Sequence, residues 1–138
     1  LGVYNAETAR LYNYLLQQDD TKFSIVNSLD GYDEISLTAD TKVINAKGEK
    51  IYTPYFLGKR LVEPAHISGG NSPEAAAGMF IQILKGEGTW AQNAVVLANA
   101  AMALHTTEKY ENYEACLQLA VESLESGKAY SSLKKIIG

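Results

Sequence analysis

Residues 22–56 read KFSIVNSLDGYDEISLTADTKVINAKGEKIYTPYF, and this stretch decides the fold class. Lys22 to Ser28 carries Phe23, Ile25 and Val26 and is expected to form a strand. Asp30-Gly31 is a turn signal. Glu34 to Thr38 (EISLT) alternates apolar with polar, so it predicts a second strand with Ile35 and Leu37 facing a core. Thr41 to Ala46 and Lys50 to Phe56 flank Lys47-Gly48-Glu49, the pattern of a hairpin. Pro54 keeps the latter strand off a central position or marks its end, because proline lacks the N–H a ladder needs.

Helices surround this β-rich stretch. Asn5 is a good cap with Glu7 in the first turn, and Leu11, Tyr12, Leu15 and Leu16 recur at helical spacing over about Ala6 to Gln18. Asp19-Asp20 ends that helix, and Lys59 to Ser72 reads as a loop. Ser72-Pro73-Glu74 gives a cap, a proline at the first helical position and an acid in the first turn; Gly86 is the stop. Thr89 and Gln92 have capping-box spacing and open a very apolar helix, expected to be buried on most sides. Another helix starts near Asn112, with Tyr113, Leu117, Ala120, Val121 and Leu124 on one face, and stops at Ser126-Gly127. A last one from Lys128 carries Leu133, Ile136 and Ile137. The fold class is therefore α/β: a sheet of a few strands covered by helices. The strands are too few for so many helices, which points to a partial domain.

Bulk properties narrow the function. The 138 residues fit one domain, long enough to bury roughly two-thirds of its unfolded surface. A net charge of -4 disfavours the phosphate-neutralising grip of a nucleic-acid binder. The single cysteine, Cys116, excludes an internal disulfide and suits a reducing, cytoplasmic setting. The longest nearly apolar run, Ala94 to Leu104, is too short to span a bilayer. The chain opens on Leu1 rather than Met, so an upstream part is expected.

Chemistry concentrates at Asp30-Gly31-Tyr32-Asp33-Glu34, with three carboxylates in five residues. Carboxylate oxygens are what a hard cation such as magnesium takes. Neighbours on a strand point to opposite faces, so Asp33 and Glu34 can share one ion only if the backbone there is loop-like. The plain alternative is a solvated loop in which Asp30 only forms the turn. Gly69-Gly70-Asn71-Ser72 and Gly86-Glu87-Gly88-Thr89 precede helices, yet lack a Walker lysine or a full dinucleotide fingerprint, and read as connecting loops. His66 and His105 have no partner at zinc spacing. Cys116 reads as a small buried hydrophobe and Asn99 as a packing or capping amide.

The segment Asp30 to Ser36 resembles the DGxDE signature of anthranilate phosphoribosyltransferases. Leu1-Gly2-Val3-Tyr4 is similar to that family's GVY segment, Asn93 to Leu104 to its long apolar helix with an Asn-Ala pair (here Asn99-Ala100), and Ser126-Gly127-Lys128-Ala129 to its SGKA segment. The resemblance implies a magnesium-dependent transferase of tryptophan biosynthesis. It would join the amine of anthranilate to C1 of phosphoribosyl pyrophosphate (PRPP) and release pyrophosphate. It implies metal binding by Asp33 and Glu34, no nucleic-acid or membrane partner, and a homodimeric intact enzyme. The family's GTGGD loop, KHGN segment and anthranilate-contacting arginine have no counterpart in these residues. On the family pattern they lie upstream, so residues 1–138 are expected to be the carboxyl-terminal part of the α/β domain, a fragment inactive alone. Asn27-Ser28 stands where many members have His-Gly.

Three other readings compete. A pyrimidine nucleoside phosphorylase shares the fold, but DGYDE and the Ser126–Ala129 segment favour the transferase. A non-catalytic nucleic-acid-binding relative wants basic patches, whereas sixteen acids outnumber twelve Lys and Arg. A self-standing structural module would follow if nothing preceded Leu1.

Overall fold

The computed structural model describes residues 1–58 and 60–138, so the loop expected from Lys59 has its first residue outside the described residues. Helix α1 (Ala6–Leu16) leads into strand β1 (Ile25–Ser28), then β2 (Thr41–Asn45) and β3 (Gly48–Tyr52). A short helix α2 (Pro54–Gly58) and a 3-10 turn (Pro64–Ile67) follow, then helices α3 (Pro73–Leu84), α4 (Trp90–Thr106), α5 (Tyr113–Glu125) and α6 (Lys128–Ile137). The strands pair antiparallel in the order β1-β2-β3. On the far side of β1 the chain start pairs parallel: Val3 N donates to Val26 O (3.0 Å) and Val26 N to Leu1 O (2.9 Å).

Strand β1 is therefore flanked on both edges and buried throughout. Its register sets the two cores. Ile25 faces Ile44 and Val26 faces Val43 across the ladder. Alternation then sends each pair to its own side. Ile25 and Ile44 pack with Val3 and Ala9 beneath α1. Val26 and Val43 pack with Val95, Ala98 and Met102 of α4 and with Cys116 and Leu117 of α5. Strand β3 is the exposed edge and carries Glu49 and Lys50, charges that discourage further pairing.

The helix ends follow their local chemistry. The side chains of Asn5, Ser72 and Asn112 accept from the backbone N–H of Thr8 (2.7 Å), Ala75 (3.1 Å) and Ala115 (2.9 Å). The Thr89–Gln92 capping box forms in both directions. Within α4 only Trp90, Ala100 and Ala103 are exposed, in line with the apolar reading of that helix. Cys116 is fully buried.

Three local expectations change. Glu34 to Thr38 is not a strand, although Ile35 and Leu37 are both completely buried. The backbone turns too sharply for a ladder, with Leu37 at φ 61. The strand expected over Lys50 to Phe56 stops at Tyr52 on the sheet edge, as Pro54 requires, and Pro54 then opens α2, where its missing N–H costs nothing. The hairpin turns at Ala46-Lys47, leaving Gly48 paired with Asn45. Leu11 and Leu15 of α1 look away from the sheet, 59% and 49% exposed, and Ala9 is that helix's buried residue.

Tyr113 ties α5 to the rest. Its hydroxyl lies 2.9 Å from Leu57 O and 3.3 Å from Ala98 O, in an interior that raises the phenol's pKa. Tyr113→Phe removes that donor from the two carbonyl oxygens. Urea titration should show a loss of about 1–3 kcal/mol; an unchanged midpoint and slope would exclude the tie.

Candidate metal-binding site

The acidic segment leaves the end of β1 as a loop, so the strand geometry that would split Asp33 from Glu34 does not arise. Three walls hold this loop. Ser28, 1% exposed at the end of β1, is the first. Its N–H donates to Tyr32 O (3.1 Å), its carbonyl accepts from Gly31 N (3.0 Å), and its hydroxyl donates to Glu34 O (2.9 Å). The second wall is Asn99 of α4. Its Oδ1 accepts from Ile35 N (3.0 Å), while its Nδ2 donates to Ile35 O (2.9 Å) and Val95 O (2.9 Å). A single side-chain amide thus gives Ile35 both partners that a neighbouring strand would have given. This is why an alternating, buried segment needs no ladder here.

The third wall is Gly2. A Cβ at that position would fall onto the Asp33 carbonyl oxygen, so the chain start packs backbone-to-backbone against the acidic loop. Asn27 adds to this seam by donating from Nδ2 to Val3 O (2.9 Å). The glycine of the Leu1–Tyr4 segment has a steric reason that only the assembled fold reveals.

The three carboxylates divide by role. Asp30 accepts from the hydroxyl of Thr38, an internal closure that occupies one of its oxygens. Asp33 and Glu34 are exposed. Glu34 titrates above the ordinary carboxylate range, because its surroundings strip hydration from the charged form and because the negative charge of Asp33 lies close. A bound cation would offset both effects. Among the described residues no group of three His, Cys, Asp or Glu side chains converges, so the pair can supply only part of a coordination shell. That suits magnesium, which is commonly held by one or two carboxylates together with water and substrate phosphate oxygens.

The other candidates stay apart. His66 lies in the 3-10 turn and His105 in the last turn of α4. The Gly86–Thr89 segment is a tight connection, with Gly88 against Asn93. A groove of about 770 Å³ opens at the opposite end of the sheet and includes none of the three acids. Its Lys22 and Lys47 are both ion-paired with Glu108.

Residues 1–130 match the model of the glycosyl transferase family, a/b domain. The chain belongs to that family. Members of it similar in sequence include the anthranilate phosphoribosyltransferases of Bacteroides fragilis (strain YCH46), 49% identical over 137 residues, and of Flavobacterium psychrophilum, 47% identical over 136. Each match covers 99% of this chain and 41% of the relative, so the chain spans about two-fifths of the length of those relatives. The resemblance carried by DGYDE, the Leu1–Tyr4 segment, Asn99-Ala100 and Ser126–Ala129 is thus borne out. Among solved structures, anthranilate phosphoribosyltransferase from Thermus thermophilus superimposes with a TM-score of 0.84 at 28% identity, covering 98% of this chain and 40% of that one. The Saccharomyces cerevisiae enzyme in complex with PRPP and Mg reaches 0.85 at 24% identity over 97% of this chain and 39% of that one, a likeness of fold. No helix among the described residues is long and apolar enough to cross a membrane.

Two outcomes follow for the loop. Gly2→Ala should force backbone apart beside Asp33, an overpacking cost of about 1–3 kcal/mol. Faster amide exchange at residues 31–36 is the expected readout; native protection there would contradict the packing. For Glu34, a folded-state pKa above the unfolded one means a stabilising contribution present at low pH and lost as pH rises through the raised value. Metal-free Glu34→Gln should therefore melt higher than the parent at neutral pH, with the gap closing as pH falls. Thermal melts in chelator across that range test the sign.

Proposed function

We propose that the intact protein is a magnesium-dependent phosphoribosyltransferase that joins anthranilate to the phosphoribosyl group of PRPP, in tryptophan biosynthesis. In this reading residues 1–138 form the carboxyl-terminal part of its α/β domain, and Asp33 and Glu34 are its metal-holding pair. The observation that carries it is the acidic pair itself, two neighbouring carboxylates on a loop braced from three sides. Family membership and relatives named for this activity support it.

The residues fit a divalent ion in chemistry. They offer hard oxygen donors and a carboxylate whose ionisation an ion would favour. Magnesium, when bound, stabilises negative charge on a departing diphosphate. Asp33 and Glu34 hold the ion; nothing about them calls for a general base. Asp30 keeps the loop closed through Thr38. The PRPP-binding glycine loop and the anthranilate contacts belong, in this reading, to the rest of the intact protein. The chain alone is then inactive, and the intact enzyme is a cytoplasmic homodimer.

The test is steady-state turnover of the intact protein, followed by loss of anthranilate fluorescence. Asp33→Ala with Glu34→Ala should slow turnover more than about 10-fold at limiting magnesium. Unchanged kinetics across a magnesium titration would sink the assignment.

A further inference from the structure

We infer that Ser28 and Asn99 are positioning residues that pre-form the cation site of Asp33 and Glu34, an inference that rests on the metal reading above. The geometry is specific to the two acids. Ser28 holds the carbonyl of Glu34 itself (2.9 Å) and that of Tyr32 (3.1 Å), the residue before Asp33. Asn99 holds both backbone groups of Ile35, the residue after Glu34. The acidic pair is bracketed on both sides by side chains that are not themselves metal ligands.

Proton counting fixes the direction of this network. A carboxylate can only accept, so Thr38 donates to Asp30. The Thr38 oxygen, 2.7 Å from Ser36 Oγ, then accepts the Ser36 proton. Ser36 has no proton left for Ser28, 3.0 Å away. The Ser28 proton goes to Glu34 O, where the only partner is an acceptor. Ser28 Oγ in turn accepts from Thr41, at 3.3 Å. The result is two oriented chains, Thr41 to Ser28 to Glu34 O and Ser36 to Thr38 to Asp30. Four hydroxyls, two of them on the fully buried Ser36 and Thr41, fix the loop from behind while its two free carboxylates face out. Alanine at position 28 removes one oxygen and breaks the first chain without altering either acidic side chain. A glycine there would lack this hold.

The experiment is manganese binding to the intact protein without substrate, read by the loss of the free-ion electron paramagnetic resonance signal well below the melting temperature. Ser28→Ala and Asn99→Ala should each weaken binding by about 10-fold, the usual scale for groups that orient metal ligands. In turnover assays the magnesium concentration for half-maximal rate should rise in parallel, with kcat at saturating magnesium retained. A purely structural role would lower the melting temperature and leave manganese affinity alone. If Asn99→Ala fails to fold, Ser28→Ala decides. Affinity within about twofold of the parent in folded Ser28→Ala, when Asp33→Ala with Glu34→Ala abolishes binding, overturns the positioning inference alone. Full affinity in that double variant overturns the metal reading and this inference with it.

Discussion

Backbone that leaves a sheet must still find partners for its N–H and C=O groups, and Glu34 O, Ile35 N and O, and Ser36 N find theirs on side chains. The Asn99 amide against Ile35 is the central contact. It joins α4 to a segment 64 residues earlier and anchors the acidic loop to the main core. Without it Ile35 would bury two unsatisfied backbone groups, each costing more than an ordinary hydrogen bond returns. The rest of the site follows from this bond. It lets the loop be buried at Ile35 and Leu37 yet exposed at Asp33 and Glu34.

The sheet supplies the platform. Strand β1 is flanked by β2 on one edge and by the chain start on the other, and it has a core on each face. A strand held on four sides ends at a defined point, and Ser28 stands at that point. The close approach of Gly2 to Asp33 uses the same parallel pairing. The candidate site thus lies at the end of a buried strand paired on both edges.

Charge and burial divide the labour among neighbouring acids. Asp30 is engaged by Thr38, whereas Glu34 is left with an unfavourable negative charge by desolvation and by Asp33. Stored electrostatic cost of this kind is common where a binding partner is to supply the missing charge. At the opposite end of the sheet, Lys22 and Lys47 share Glu108 and fasten the hairpin to the end of α4. Similar residue types produce structure at one end and a candidate site at the other.

The amino-acid sequence determined whatever depends on near neighbours. The caps at Asn5, Ser72, Thr89 and Asn112 and the glycine stops at Gly86 and Gly127 act across a few residues, so they were legible. So were the burial of Ile35 and Leu37 and the concentration of acid at residues 30–34. Tertiary structure alone decided how that burial is achieved. Alternation marks which side chains go inward, but it cannot say whether the backbone's partner is a strand or an amide on a distant helix. Nor can it show that Gly2 must lack a side chain because of Asp33, or that α1 leaves Leu11 and Leu15 uncovered. Those outcomes depend on contacts between residues far apart in the chain, and local pattern carries no record of them.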